Sequence, residues 1–203
     1  MSASLSAQLT SEIRAERERL AGLLADLSPE QWAAPSLCRG WRVQEVAAHI
    51  TMPFRTKPLG FTVGLIGAGF SFNRFADRDA RSTAREQSQA ELLELLQRNI
   101  DSPWTPPGGG AAGALSHDVI HGLDVTEPLG LPASPADRIA LVLRSAGPRQ
   151  LRYFGVDLTG RRLTATDADV SVGDGAQAVP LTAREILLVV TGRRPGGVAG
   201  ASQ

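Results

Sequence analysis

Residues 114–125 read ALSHDVIHGLDV, and their spacing predicts a buried helix with two histidines on one face. Leu115, Val119, Ile120 and Leu123 recur at helical intervals and make an apolar stripe. His117 and His121 lie just over one turn apart, so their imidazoles project from the same side, stacked one above the other. In so apolar a helix, at least one ring should sit near the core and need a partner. The breaker PWTPPGGG at 103–110 precedes the helix, which is expected to end near Pro128.

Working outward, Leu5, Leu9, Ile13, Leu20, Leu24 and Leu27 predict a long amphipathic helix at the N-terminus. Ser28-Pro29-Glu30-Gln31 reads as an N-cap with Pro at the first helical position and Gln three residues on. Val43, Val46, Ala47 and Ile50 describe a further helix, with His49 bordering its buried face. The segment 59–80 is harder to read, because its glycines at 60, 64, 67 and 69 could permit close helix packing or could break a helix. Leu92, Leu93, Leu95 and Leu96 predict a helix from about Ala84 to Ile100. Ser134-Pro135-Ala136-Asp137 opens another, continued by Ile139, Val142 and Leu143. The first two-thirds of the chain is thus expected to be a bundle of four or five helices.

After Phe154, GVDLTGRRLTATDADVSV alternates apolar and polar residues, with turn signals at Thr159-Gly160 and Asp167-Ala168-Asp169. This predicts short antiparallel strands in a hairpin or meander. Thr182-Ala183-Arg184-Glu185 is a capping box ahead of EILLVV, and Gly192 with Pro195 closes that helix. The expected fold class is mainly α with a small α+β C-terminal part. The boundaries read as 1–154 for the helical bundle, 155–195 for the α/β piece and 196–203 for a frayed tail.

Composition narrows the function. The 203 residues are 42% hydrophobic and 21% charged, ordinary values for a globular chain. Formal net charge is zero, so no basic field exists to hold nucleic acid or an anionic membrane. Lys57 is the one lysine among 21 basic residues, which suggests a GC-rich genome. Cys38 is the sole cysteine, excluding an intrachain disulfide framework or a thiolate cluster. There is no secretory leader pattern, and the apolar stretch 58–70 is too short and glycine-rich to span a bilayer. A cytoplasmic protein is expected, as a monomer or homodimer, with neither nucleic acid nor membrane as partner.

Two imidazoles at this spacing can reach one ion at about 2.0–2.1 Å each. An HxxxH pair alone is weak evidence, since many such pairs are solvated or simply packed. His49 could supply a third ligand from a facing helix, and three ligands with an open position is the arrangement of a catalytic zinc. Nickel or iron(II) would also suit imidazoles. Asp124, three residues after His121, could orient its ring, whereas Asp118 reads equally as a solvated surface charge. Cys38 in SLCRGW has no local base and reads as a buried structural thiol rather than a nucleophile. Trp32 and Trp41 read as core and loop anchors. No HExxH, GxSxG or Walker motif is present, and SVGDGAQ reads as a turn.

LSPEQWAAPSLCRGWRVQEVAAHI, with its Cys-x-Gly-Trp loop and following His, resembles the mycothiol-dependent maleylpyruvate isomerase family within the DinB/YfiT-like superfamily. ALSHDVIHGLDVTEPLG resembles that family's second ligand segment, and RRLTATDADVSVGDG with ILLVVTGR resembles its small C-terminal piece. The likeness is spread over most of the chain and is least clear between 51 and 110. It implies a DinB-like four-helix bundle holding a divalent metal, usually zinc, on His49, His117 and His121. It further implies mycothiol as a thiol cosubstrate, bound as its thiolate, in thiol transfer to or isomerisation of a small electrophile. The chain departs from the isomerase proper at His117, where that enzyme has glutamate; three histidines are the pattern of other DinB-like members. Arg161, Arg162 and Arg193 are positional candidates for the arginines the isomerase uses on its diacid. A metal-dependent hydrolase and a non-catalytic stress-response binding module are the alternative readings.

Overall fold

The computed structural model describes residues 3–145 and 148–194. It divides into two compact units, residues 1–132 and 133–203. In the first, α1 (Ala3–Ala25) buries Leu9, Ile13, Leu20 and Leu24 along the expected stripe, while Leu5 is exposed. The stripe lacks an apolar residue between Ile13 and Leu20, and there Glu16 and Arg17 are fully buried. A capping box opens α2 (Pro29–Ala33), in which Ser28 Oγ accepts from the Gln31 amide and the Gln31 side chain accepts from the Ser28 amide. Trp32 then buries its ring in the core. The loop that follows is pinned to a distant helix, because the Leu37 amide donates to the Asp124 carbonyl. Next comes α3 (Val43–Arg55), which carries His49.

The glycine-containing segment that was harder to read folds as two helices, α4 (Pro58–Gly67) and α5 (Phe72–Glu86). Gly64 lets them meet, since a Cβ there would lie 2.3 Å from the Phe75 ring. The helix expected from Ala84 to Ile100 is in fact broken. α5 stops at Glu86, Gln87 is extended, and α6 (Gln89–Arg98) starts from a capping box between Ser88 and Glu91. That cap signal outweighs the continuity of the apolar pattern. α7 (Gly110–Leu129) runs through the opening motif and ends at Gly130, whose φ of 64° suits glycine.

Helix α1 packs on α6 and α7, and α3 on α5, α6 and α7, so α1, α3, α6 and α7 form a four-helix bundle. Leu20, Leu24, Val46, Ile50, Leu92, Leu96 and Val125 fill its centre. Gly122 permits the close approach of α1 and α7: a Cβ there would come within 3.1 Å of Leu20 and 3.2 Å of Glu16.

The second unit contains α8 (Ala136–Arg144), α9 (Pro148–Tyr153), three short strands and α10 (Ala183–Val190). The strands β1 (Arg161–Ala165), β2 (Ser171–Val172) and β3 (Gln177–Leu181) form a sheet of order β2-β1-β3. The antiparallel expectation holds for β1 with β2, but β3 lies parallel to β1. The chain after β2 crosses the start of β1 to reach its other edge. A Cβ on Gly175 would sit 2.0 Å from the Gly160 carbonyl carbon, so only glycine passes there. The Thr182–Glu185 capping box forms as read, and Gly192 takes a φ of 68° just after α10. Pro195 and the tail 196–203 lie outside the described residues.

Candidate metal centre

His49 projects from α3 toward His117 and His121 on α7. The ring centroids are 4.6 Å apart for His49–His121, 4.9 Å for His117–His121 and 5.2 Å for His49–His117. One ligand nitrogen from each falls within 4.8 Å of the others. His49 is buried, while the other two keep a modest opening to solvent, at 15% and 17% side-chain exposure. Residues 68 and 72 positions apart in the chain are thereby brought to one point.

Carboxylates behind the rings decide which nitrogen is available. His117 Nδ1 lies 2.9 Å from Asp118 Oδ1, and His121 Nδ1 lies 2.9 Å from Asp124 Oδ2. A carboxylate only accepts, so each Nδ1 carries a proton, which in the neutral ring leaves the lone pair on Nε2. The His49 Nδ1 is buried without a hydrogen-bond partner among the described residues. Burial pushes the His49 pKa well below its ordinary 6.5, His121 and His117 push the same way, Asp124 opposes them, and Arg55 adds a smaller downward effect. His49 is therefore neutral, the form a metal ligand requires. Three close imidazoles, one with an orphaned nitrogen, fit a divalent cation.

Asp118 is not a surface charge. It is buried, and its Oδ2 lies 2.9 Å from Arg17 Nε. Arg17 in turn donates through Nη1 to the Ser102 carbonyl at 2.7 Å, with longer contacts to Asn99 and Ile100, and its guanidinium lies 5.1 Å from the centre of the Phe54 ring. A fully buried arginine on α1 thus braces the acceptor of a ligand candidate on α7. The interruption of the α1 stripe at Glu16 and Arg17 was its only trace in the sequence.

Cys38 also stands elsewhere than expected. It is half-buried, its thiol donates to Asp124 Oδ2 at 3.0 Å, and its sulfur is 4.0 Å from His121 Nδ1. Its neighbours were invisible locally because they come from α7, to which the Leu37 amide ties the loop. Trp41 packs its ring 5.3 Å from His49 and donates its indole N–H to Asp77 Oδ1 at 2.7 Å. Trp104, which the sequence reading did not single out, lies 5.6 Å from His117. Trp32 remains a core residue. Arg161 and Arg162 lie on β1 and Arg193 follows α10, all in the second unit, whereas the three histidines belong to the first.

Comparison with known proteins now bears on this site. Residues 13–103 match the family model described as the mycothiol maleylpyruvate isomerase N-terminal domain. The matched segment contains Arg17, Cys38, Trp41 and His49, while His117 and His121 lie beyond it. A crystal structure of the mycothiol-dependent maleylpyruvate isomerase has the same fold, with a TM-score of 0.63 at 14% identity, covering 95% of this chain and 91% of that one. A point mutant of that isomerase gives a TM-score of 0.62 at 14% identity, over 93% and 90%. Among curated proteins, two uncharacterized proteins of Mycobacterium tuberculosis, from strains CDC 1551 / Oshkosh and ATCC 25618 / H37Rv, are each 26% identical. Each alignment covers 90% of this chain and 84% of the relative. Among the described residues no helix is long and apolar enough to cross a membrane.

Proposed function

We propose that the chain holds a divalent cation on His49, His117 and His121 and, with a low-molecular-weight thiol, carries out thiol transfer to, or isomerisation of, a small electrophile. The observation that carries this reading is the convergence of three imidazoles, two with Nδ1 committed to buried carboxylates and one buried with Nδ1 unpartnered. The donor set suits zinc first, then nickel or iron(II). Such a cation, when bound, supplies the charge that keeps a thiol ionised at neutral pH, against a pKa of about 8.5 for a free thiol.

The protein's own part is orientation and shielding. Asp118, anchored by Arg17, keeps the His117 Nε2 lone pair available, and Asp124 does the same for His121. Trp41 and Trp104 flank His49 and His117 and limit the water beside them. The family match and the shared fold support mycothiol as the thiol. His117, where the isomerase has glutamate, leaves the ligand set without a negative charge, so the electrophile is proposed only as a class.

Elemental analysis of zinc-reconstituted protein tests the ligand set. His49→Ala and His117→Ala, shown to be folded by circular dichroism, are each expected to lose the bound equivalent; full retention in both would overturn the site. Calorimetric titration with mycothiol tests the thiol. Binding to the zinc-loaded but not the zinc-free protein is expected, and no binding while zinc is retained would overturn that part.

A further inference from the structure

The face of α5 away from the core carries Arg74, Arg78, Arg81 and Arg85 in one stripe, at relative positions 0, 4, 7 and 11. With Asn73 and Asp77 they line an open concavity of about 560 Å³. Like charges three and four residues apart on a helix repel and destabilise it. Asp77 is the one carboxylate in this lining, and it is already shared between Arg81 Nε at 2.9 Å and the Trp41 indole at 2.7 Å. The other acids of α5 are engaged elsewhere: Asp79 with Arg55, and Glu86 with the Ser82 hydroxyl. Arg74 reaches only the Gly69 carbonyl, and Arg78 and Arg85 are exposed without an ion pair among the described residues. Four guanidinium groups therefore face one concavity with a single, shared counter-charge.

We infer that this groove is a binding site for a small oxyanion, a carboxylate or phosphate group held by Arg78, Arg81 and Arg85. Guanidinium forks match both groups with paired N–H donors. A small ligand fits better than a nucleic acid, because the chain has zero net charge and the stripe follows one helix for only about 17 Å. The groove also adjoins the histidine cluster. Trp41 joins them, with its N–H on Asp77 and its ring on His49. A Cβ on the neighbouring Gly40 would come within 3.2 Å of Arg81 Nη2. An anion drawing Arg81 from Asp77 changes the surroundings of the Trp41 indole, so occupancy is readable at that ring.

The test uses the full chain, zinc-free and zinc-loaded, titrated separately with inorganic phosphate and with succinate at low ionic strength. Tryptophan fluorescence and calorimetry report binding, and Trp41→Phe identifies the reporting ring. Saturable binding of at least one probe is expected, with a fluorescence change absent from Trp41→Phe. The stronger probe separates phosphate from carboxylate chemistry. Arg78→Gln/Arg85→Gln, both at exposed positions, is expected to weaken binding by about tenfold or more, with zinc content and melting temperature unchanged. No saturable binding of either probe, or equal affinity in the double variant, would overturn the inference. So would a DNA duplex binding far more tightly than both probes and losing that affinity in the double variant. Zinc content, measured on the same samples, separates failure here from failure of the proposed metal site.

Discussion

Arg17→Met tests how far the histidine cluster leans on α1. Methionine keeps much of the aliphatic stem but removes a guanidinium whose Nε lies 2.9 Å from Asp118 Oδ2 and whose Nη1 donates to Ser102 at 2.7 Å. Side-chain exposure is 0% for Arg17 and 2% for Asp118, so water cannot take the lost partner's place. Removing one member of a buried pair costs about 3–5 kcal/mol, because the other charge is left stranded. The carbonyls that lose a donor add about 1 kcal/mol or more. Against a whole-domain stability of about 5–15 kcal/mol, this is a substantial fraction. Urea denaturation of metal-free protein should show a much lower midpoint at similar slope. Asp118 would also be free to turn from His117, so zinc affinity measured against a chelator should fall by about 10- to 100-fold. Arg17→Met/Asp118→Leu strands no charge and should recover much of the stability, but not the affinity, since His117 still lacks its acceptor. A single variant within about 0.5 kcal/mol of the parent, with unchanged zinc affinity, would refute the reasoning.

Other consequences can be checked with standard measurements. Gly22→Ala, inside α1 with open space where its Cβ would go, should raise stability by about 0.5–1 kcal/mol in thermal or chemical melts. Gly175→Ala should do the reverse and reduce amide-exchange protection along β1 and β3, because its Cβ would overlap the backbone of Gly160 and Arg161. The Thr182 amide, and after it the hydroxyl, hold Glu185 below its ordinary pKa of 4.5. That contribution is complete above the unfolded value and is lost as pH falls through the lower folded value, so Glu185→Gln should flatten the acid limb of a pH–stability profile. Zinc retention should fall on acidification, because protons then compete for the imidazoles; pH-independent retention down to about pH 4 would argue against a three-histidine site.

Much of the helical order was legible because the apolar periods of α1, α3 and α7 each face one core. Capping boxes at Ser28 and Thr182 marked helix starts correctly, since the signal is local and chemical. The same signal at Ser88 went unread, so the start of α6 was set a few residues early, inside the end of α5. The α4–α5 pair was obscure because Gly64 and its partner Phe75 make sense only once the two helices touch. The parallel placement of β3 was hidden for a similar reason: alternation shows that strands exist but not on which edge they pair. Within the site, His117, His121 and Asp124 stood out by spacing on one helix, and His49 by its place at the end of another apolar helix. Arg17, Asp118, Cys38 and Trp104 did not, because their partners are contributed by other helices or remote loops.

The positions of these residues along the chain also bear on the order in which they are made. Arg17, Cys38, His49, Ser102, His117, Asp118, His121 and Asp124 all precede residue 133. A nascent chain therefore carries the whole candidate ligand set, with its supports, while the second unit is still untranslated. The brace leaves the ribosome first and the last ligand well before termination. With the proposed site, ion capture and translation can then overlap in time, so the supply of metal during synthesis would bear on how the chain matures.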